Sequence, residues 1–112
     1  MNKSAFHLHQ ATESFLNFTL LVLTNYKPKS HDLEDLLKKC NSRSNQFLSI
    51  FPTKNKEQEE CFKLLKRAYI DARYTKDYKI TKDQLEYLIK RVEELKRITN
   101  QICKDRIDIF IK

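Results

Sequence analysis

The stretch TKDQLEYLIKRVEELKRITNQI, Thr81 to Ile102, sets Leu85, Leu88, Ile89, Val92, Leu95, Ile98 and Ile102 three and four residues apart. That spacing follows the 3.6-residue period of an α-helix with one apolar face, and it predicts a last helix running from Thr81 to about Lys104. Thr81 with Gln84 three residues on forms a capping box, in which each side chain satisfies the other's exposed backbone N–H. Beyond it, RIDIFIK from Arg106 to Lys112 alternates Ile107, Ile109 and Ile111 with polar or aromatic residues. Continued helix, packing back on the bundle and pairing with a neighbouring chain all suit such a tail.

Upstream, Lys56 to Arg73 repeats the same logic. Cys61, Phe62, Leu65, Ala68, Tyr69 and Ala72 share one face, Asn55 and Gln58 supply the cap, and pairs such as Glu59 with Lys63 support the helix locally. The N-terminal stretch from Ser4 to Tyr26 is a long core helix, carrying Leu8, Ala11, Phe15, Phe18 and Val22 on its apolar stripe, flanked by Ala5, Thr12, Leu16, Thr19 and Leu23. His7, Gln10, Glu13, Ser14 and Asn17 make a polar line on another side, either a wet face or the border of a cleft or dimer seam. Pro28 in KPKSHD is expected to stop this helix and Ser30 to cap the next, whose apolar positions are Leu33, Leu36, Leu37 and Cys40. Phe47, Leu48, Ile50 and Phe51 then form a short helix or irregular lid before Pro52.

These signals predict an all-α, antiparallel up-and-down helical bundle over residues 1–112 as one domain, since 112 residues supply one core and not two. The absence of any glycine excludes the glycine-rich loops of Walker and Rossmann nucleotide sites. Phe18 to Leu23, the longest largely apolar run, is far short of a bilayer crossing, so the chain is read as soluble, with no membrane partner. Cys40, Cys61 and Cys103 are widely spaced at helical apolar positions, as buried thiols of a cytoplasmic protein would be. No pair of residues has metal-ligand spacing; His7 and His9, two apart on a helix, point different ways. Neither a metal nor any other cofactor is expected. A net charge of +7 biases the chain toward polyanions, although its 22 basic residues are scattered among 15 acidic ones.

The densest cluster of functional side chains lies between the third and last helices. AYIDARYTKDYKI, Ala68 to Ile80, brings Tyr69, Asp71, Arg73, Tyr74, Lys76, Asp77, Tyr78 and Lys79 to a helix end and the turn after it. Arg73 and Lys76 either satisfy the last carbonyls of the helix or hold an anion. His31, at the start of the second helix, either ties down its turn or does acid–base work.

Four segments in order resemble the HEPN domain: LHQATESF, YKPKSHDLEDLL, AYIDARYTKDY and ITKDQLEYLIKRVEEL. The resemblance is closest to the group fused to, or encoded beside, a minimal nucleotidyltransferase. It implies a helical bundle, usually a homodimer, with a nucleotide or RNA site near the end of the arginine-bearing helix. The chain begins almost at the segment equivalent to the second helix of such domains, so the bundle is expected to lack the family's first helix. Either the chain is then one domain of something longer, or an apolar groove is left for another copy or a partner to cover. In the ribonuclease branch an Arg is followed a few residues later by His; here Arg73 matches the Arg, and Tyr78 stands where His is expected. A phenol with an ordinary pKa near 10 is a poor base at neutral pH. Arg73 can still hold a phosphate through its planar fork, with Lys76 and Lys79 adding charge, Tyr74 or Tyr78 stacking on a base, and Asp77 at the same centre.

Three functions follow from this resemblance. The first is a dimeric nucleotide- or RNA-binding module working with a minimal nucleotidyltransferase, as in toxin–antitoxin pairs, with Tyr78 the candidate for modification. The second is a metal-independent endoribonuclease in which Arg73 stabilises the transition state and His31 replaces the missing base, leaving Tyr78 at most a hydrogen-bond donor. The third is an interaction module whose face bearing Gln10, Glu13 and Asn17 forms a dimer.

Overall fold

In a computed structural model of the chain, residues 2–26, 28–47, 49–69 and 77–111 are described. They form four helices and no strand: α1 (Asn2–Thr24), α2 (Leu33–Arg43), α3 (Lys56–Arg67) and α4 (Lys82–Ile111). The all-α expectation therefore holds. Helix α1 packs against each of the other three, and α3 also packs on α4. At 1.5 Å per residue the 30-residue α4 is about 45 Å long, which sets the longest dimension of the molecule, 52 Å. Its backbone continues to Ile111, so the RIDIFIK tail extends the last helix and does not leave it at Lys104. Among the described residues no helix is long and apolar enough to cross a membrane.

Local chemistry accounts for most boundaries. Asn55 Oδ1 accepts from the Gln58 N–H at 2.8 Å, and Thr81 and Gln84 bond reciprocally at 3.2 and 2.9 Å. The start of α2 departs from expectation: Asp32, not Ser30, caps it, accepting from the N–H groups of Glu34 and Asp35. A carboxylate there satisfies exposed N–H groups and also opposes the positive end of the helix dipole. Ser30 Oγ instead accepts from the Asp32 N–H. Asn25 ends the first helix, ahead of Pro28. It adopts φ 59°, the left-handed conformation Asn tolerates better than most residues, while its N–H still bonds to the Leu21 carbonyl. Helix α3 ends at Arg67, six residues before the Arg73 expected to close it. Ile70 to Lys76 lie outside the described residues.

The core contains Leu33, Leu36, Leu37 and Cys40 of α2, as predicted, together with Phe47, Ile50 and Phe51 of the segment before α3. The described residues of that segment form turns over the core, the lid alternative of the two expected, and Leu48 lies outside them. All three cysteines are free and buried, and burial pushes the Cys40 thiol up to about 12.

Helix α1 is rotated relative to its predicted face. Ala5, His9, Thr12, Leu16 and Thr19 form the buried seam, whereas Phe18 is 52% exposed, Leu8, Ala11 and Phe15 only flank the core, and Val22 is half-buried. The two threonines on the seam are internally satisfied. Thr12 and Thr19 hydroxyls lie 2.7 and 2.8 Å from the carbonyls four residues back, and Thr19 also meets Thr99 of α4 at 3.1 Å. Two short side chains can touch hydroxyl to hydroxyl only where the helix backbones run close, so small polar residues hold the α1–α4 contact that bulky ones would wedge apart.

Candidate nucleotide site

Helix α3 delivers Tyr69 to its C-terminal end, and three aromatic rings gather round that phenol. His31, from the turn before α2, stacks on it at 4.8 Å with planes 13° apart. His9 and Phe6 of α1 approach the same ring at 5.3 and 6.3 Å. Three separate parts of the chain thus meet at the point from which the polypeptide runs on toward Arg73.

Glu13 links two of these groups. Its Oε1 lies 2.7 Å from His31 Nδ1, a short, charge-assisted hydrogen bond with Nδ1–H as donor. In the neutral ring this leaves Nε2 as the proton acceptor, and the His31 side chain is 60% exposed, so that nitrogen is open to a ligand. A carboxylate holding a solvent-facing imidazole by its other nitrogen is the arrangement a general base requires. Glu13 Oε2 also faces His9 Nδ1 at 3.7 Å, too long for a hydrogen bond. His9 is 1% exposed, and among the described residues neither of its ring nitrogens finds a hydrogen-bond partner. Burial pushes its pKa below the usual histidine value, against the pull of the Glu13 carboxylate.

Tyr78 is elsewhere, and its expected roles need correction. The residue is 1% exposed, its hydroxyl donates to the Leu64 carbonyl at 2.7 Å, and the Arg67 guanidinium lies 5.7 Å from its ring centroid. A phenol so enclosed neither stacks on a base nor accepts a transferred group; it closes the carbonyl end of α3. Asp77 and Lys79, its neighbours, are exposed. Arg73, Tyr74 and Lys76 fall outside the described residues.

His7 and His9 do point apart, one exposed and one buried. The polar line on α1 splits likewise: His7, Gln10 and Ser14 are exposed, Glu13 is 16% exposed, and Asn17 is buried. Sequence reasoning placed Glu13 on that line but not against His31, and it missed His9. The available signal was the i,i+4 spacing of His9 and Glu13, which puts both on one helix face. Nothing local announced that His31, eighteen residues beyond Glu13, would close onto the pair.

No curated protein matches the chain. The HEPN domain profile matches residues 1–102, most of the chain, in agreement with the all-helical architecture of the described residues and the segments on which the resemblance rested. The chain belongs to the HEPN family.

Proposed function

We propose that this HEPN domain binds a nucleotide or RNA at the end of α3, with Arg73 holding a phosphate, Lys76 and Lys79 adding positive charge, and Asp77 at the margin. HEPN domains are generally RNA-related nuclease or nucleotide-binding modules, and the net charge of +7 favours a polyanionic ligand. One observation carries the reading: the Glu13–His31 pair is stacked on Tyr69, and Arg73 follows Tyr69 by four residues, a chain reach of at most about 14 Å. Thermal unfolding with ATP, GTP and short RNA tests it. A ligand at a hundred times its dissociation constant stabilises by about 2.7 kcal/mol, and Arg73→Ala should remove that gain. No shift with any of the three, or an equal shift in Arg73→Ala, contradicts the assignment.

A minimal nucleotidyltransferase as partner, within a toxin–antitoxin pair in the cytoplasm, belongs to the same proposal, as does a homodimer. Mass spectrometry after incubation with the cognate transferase and ATP checks the partner; a chain of unchanged mass contradicts it. With the Tyr78 hydroxyl bound inside, modification there would first require the phenol to leave the Leu64 carbonyl.

The Glu13–His31 hydrogen bond favours a second reading, metal-independent RNA cleavage. His31 Nε2 takes the proton of a ribose 2′-hydroxyl, the 2′-oxygen bonds to phosphorus, and the P–O5′ bond breaks to leave a 2′,3′-cyclic phosphate. The departing 5′-oxygen takes a proton from the imidazolium, and Arg73 stabilises the charge built up on the phosphorane. Incubation of RNA in EDTA decides. Cleavage that falls at least 100-fold in both His31→Ala and Arg73→Ala supports it, and cleavage equal in all three proteins contradicts it.

A further inference from the structure

Beside the Glu13–His31 pair a groove of about 630 Å³ runs between α1 and the turn before α2. Phe18, Leu21 and Pro28 form its apolar side, and Glu13, Asn17 and Lys29 are among its polar residues. Two features mark it as more than a surface furrow. Asn17 is 8% exposed, and its Oδ1 has no hydrogen-bond partner among the described residues, although leaving a buried acceptor unpaired costs about 1–3 kcal/mol. Phe18 meanwhile is 52% exposed on the same wall, a large apolar residue held in water. One planar ligand carrying N–H donors on its edge would relieve both.

We infer that this groove is a nucleobase subsite for bases bearing an exocyclic amino group, namely adenine, cytosine or guanine. The inference rests on the nucleotide- or RNA-binding reading above and names the substrate feature that the same site selects. The base stacks against the Phe18 ring, as bases do on aromatic platforms. Its amino group donates to Asn17 Oδ1, with the Glu13 carboxylate as a second acceptor on the same wall. Lys29, on the turn, supplies a cation for the adjoining phosphate. Because the groove reaches His31, a nucleotide seated in it brings its ribose to the edge of the pair. Uracil fits least: its single N–H lies between two carbonyl oxygens, which would face the acceptors on this wall.

Fluorescence anisotropy with labelled heptamers of A, C and U tests this. The chain should bind the A and C heptamers about tenfold more tightly than U, a difference of about 1.4 kcal/mol. Asn17→Leu should lower A and C to the level of U. Arg73→Ala should weaken all three while leaving their ratio intact. Since Asn17 is nearly buried and its replacement can impair folding, Phe18→Trp at the exposed position gives an independent readout: a stacked base should quench its fluorescence on addition of the A heptamer. Equal affinity for the three heptamers, or a preference that survives in folded Asn17→Leu, overturns the subsite while leaving the phosphate site standing. Heptamer affinities that stay unchanged in Arg73→Ala, with the preference intact, keep the subsite and remove Arg73 from the proposed function. No binding of any heptamer overturns both. If Phe18→Glu turns a dimer into a monomer that binds the heptamers unchanged, the groove is an interface between two copies and the inference fails.

Discussion

Two tyrosines flank the arginine turn, nine residues apart, and their surroundings are opposite. Tyr69 is half-buried under an exposed imidazole, within an open cluster that includes Glu13 and His9. Tyr78 is sealed, its hydroxyl spent on a main-chain carbonyl and its ring covered by Arg67. The family resemblance singled out Tyr78 as a candidate because it stands where the motif His is expected, but the accessible polar chemistry gathers at the other tyrosine. A phenol that must satisfy a helix-end carbonyl and fill the core is committed to the fold. An imidazole held by one nitrogen, with the other facing water, remains available to a ligand.

The largest test of this contrast is Tyr78→Ala. It should cost about 3–5 kcal/mol of unfolding free energy in urea titration, as truncation of a fully buried aromatic does, whereas His31→Ala should cost less than about 1 kcal/mol. A Tyr78→Ala protein of near wild-type stability would break the comparison. Next, Tyr78→Phe should cost about 1–2 kcal/mol, because the Leu64 carbonyl loses its donor, and should leave RNA affinity unchanged. A loss of affinity in that variant would return Tyr78 to the site.

The pH dependence sharpens the other side. The folded-state pKa of His9 lies below the ordinary 6.5, chiefly through burial, so the unfolded chain binds a proton more readily. The resulting contribution to stability is complete above about pH 6.5 and is lost as the pH falls below it. His9→Leu should flatten that part of the curve of unfolding free energy against pH; an unchanged slope would show that another group carries it. The smallest effect expected is the coupling of Glu13 to His31. With His31 largely exposed, a double-mutant cycle of Glu13→Gln and His31→Ala should give about 0.2–1 kcal/mol, even if the same substitutions abolish catalysis. A coupling well above that range would mean that the pair is chiefly structural.

Much of the fold was legible in short stretches. The caps at Asn55 and Thr81 are exchanges between residues three apart, and the stripes of α2 and α4 repeat with the helical period. The face of α1 was not legible, because both Phe15–Phe18–Val22 and Ala5–His9–Thr12–Leu16–Thr19 fit that period. Bulk favours the first seam, and the close contact of Thr19 with Thr99 requires the second. The same rotation carries His9 into the interior and leaves Phe18 on the groove.

The candidate site divides in the same way. Its arginine motif and polar turn are visible as residue types in order, and so is family membership, because both depend on neighbours along the chain. The sequence alone determined the caps at Asn55 and Thr81, the helices that start there and that the chain is a HEPN domain. Only tertiary packing decided that Glu13 would grip His31, that Tyr69 would shelter beneath it and that Tyr78 would be enclosed. Periodicity describes one helix at a time, whereas burial and hydrogen bonding are set by whichever element lies opposite, and here the partners come from distant parts of the chain.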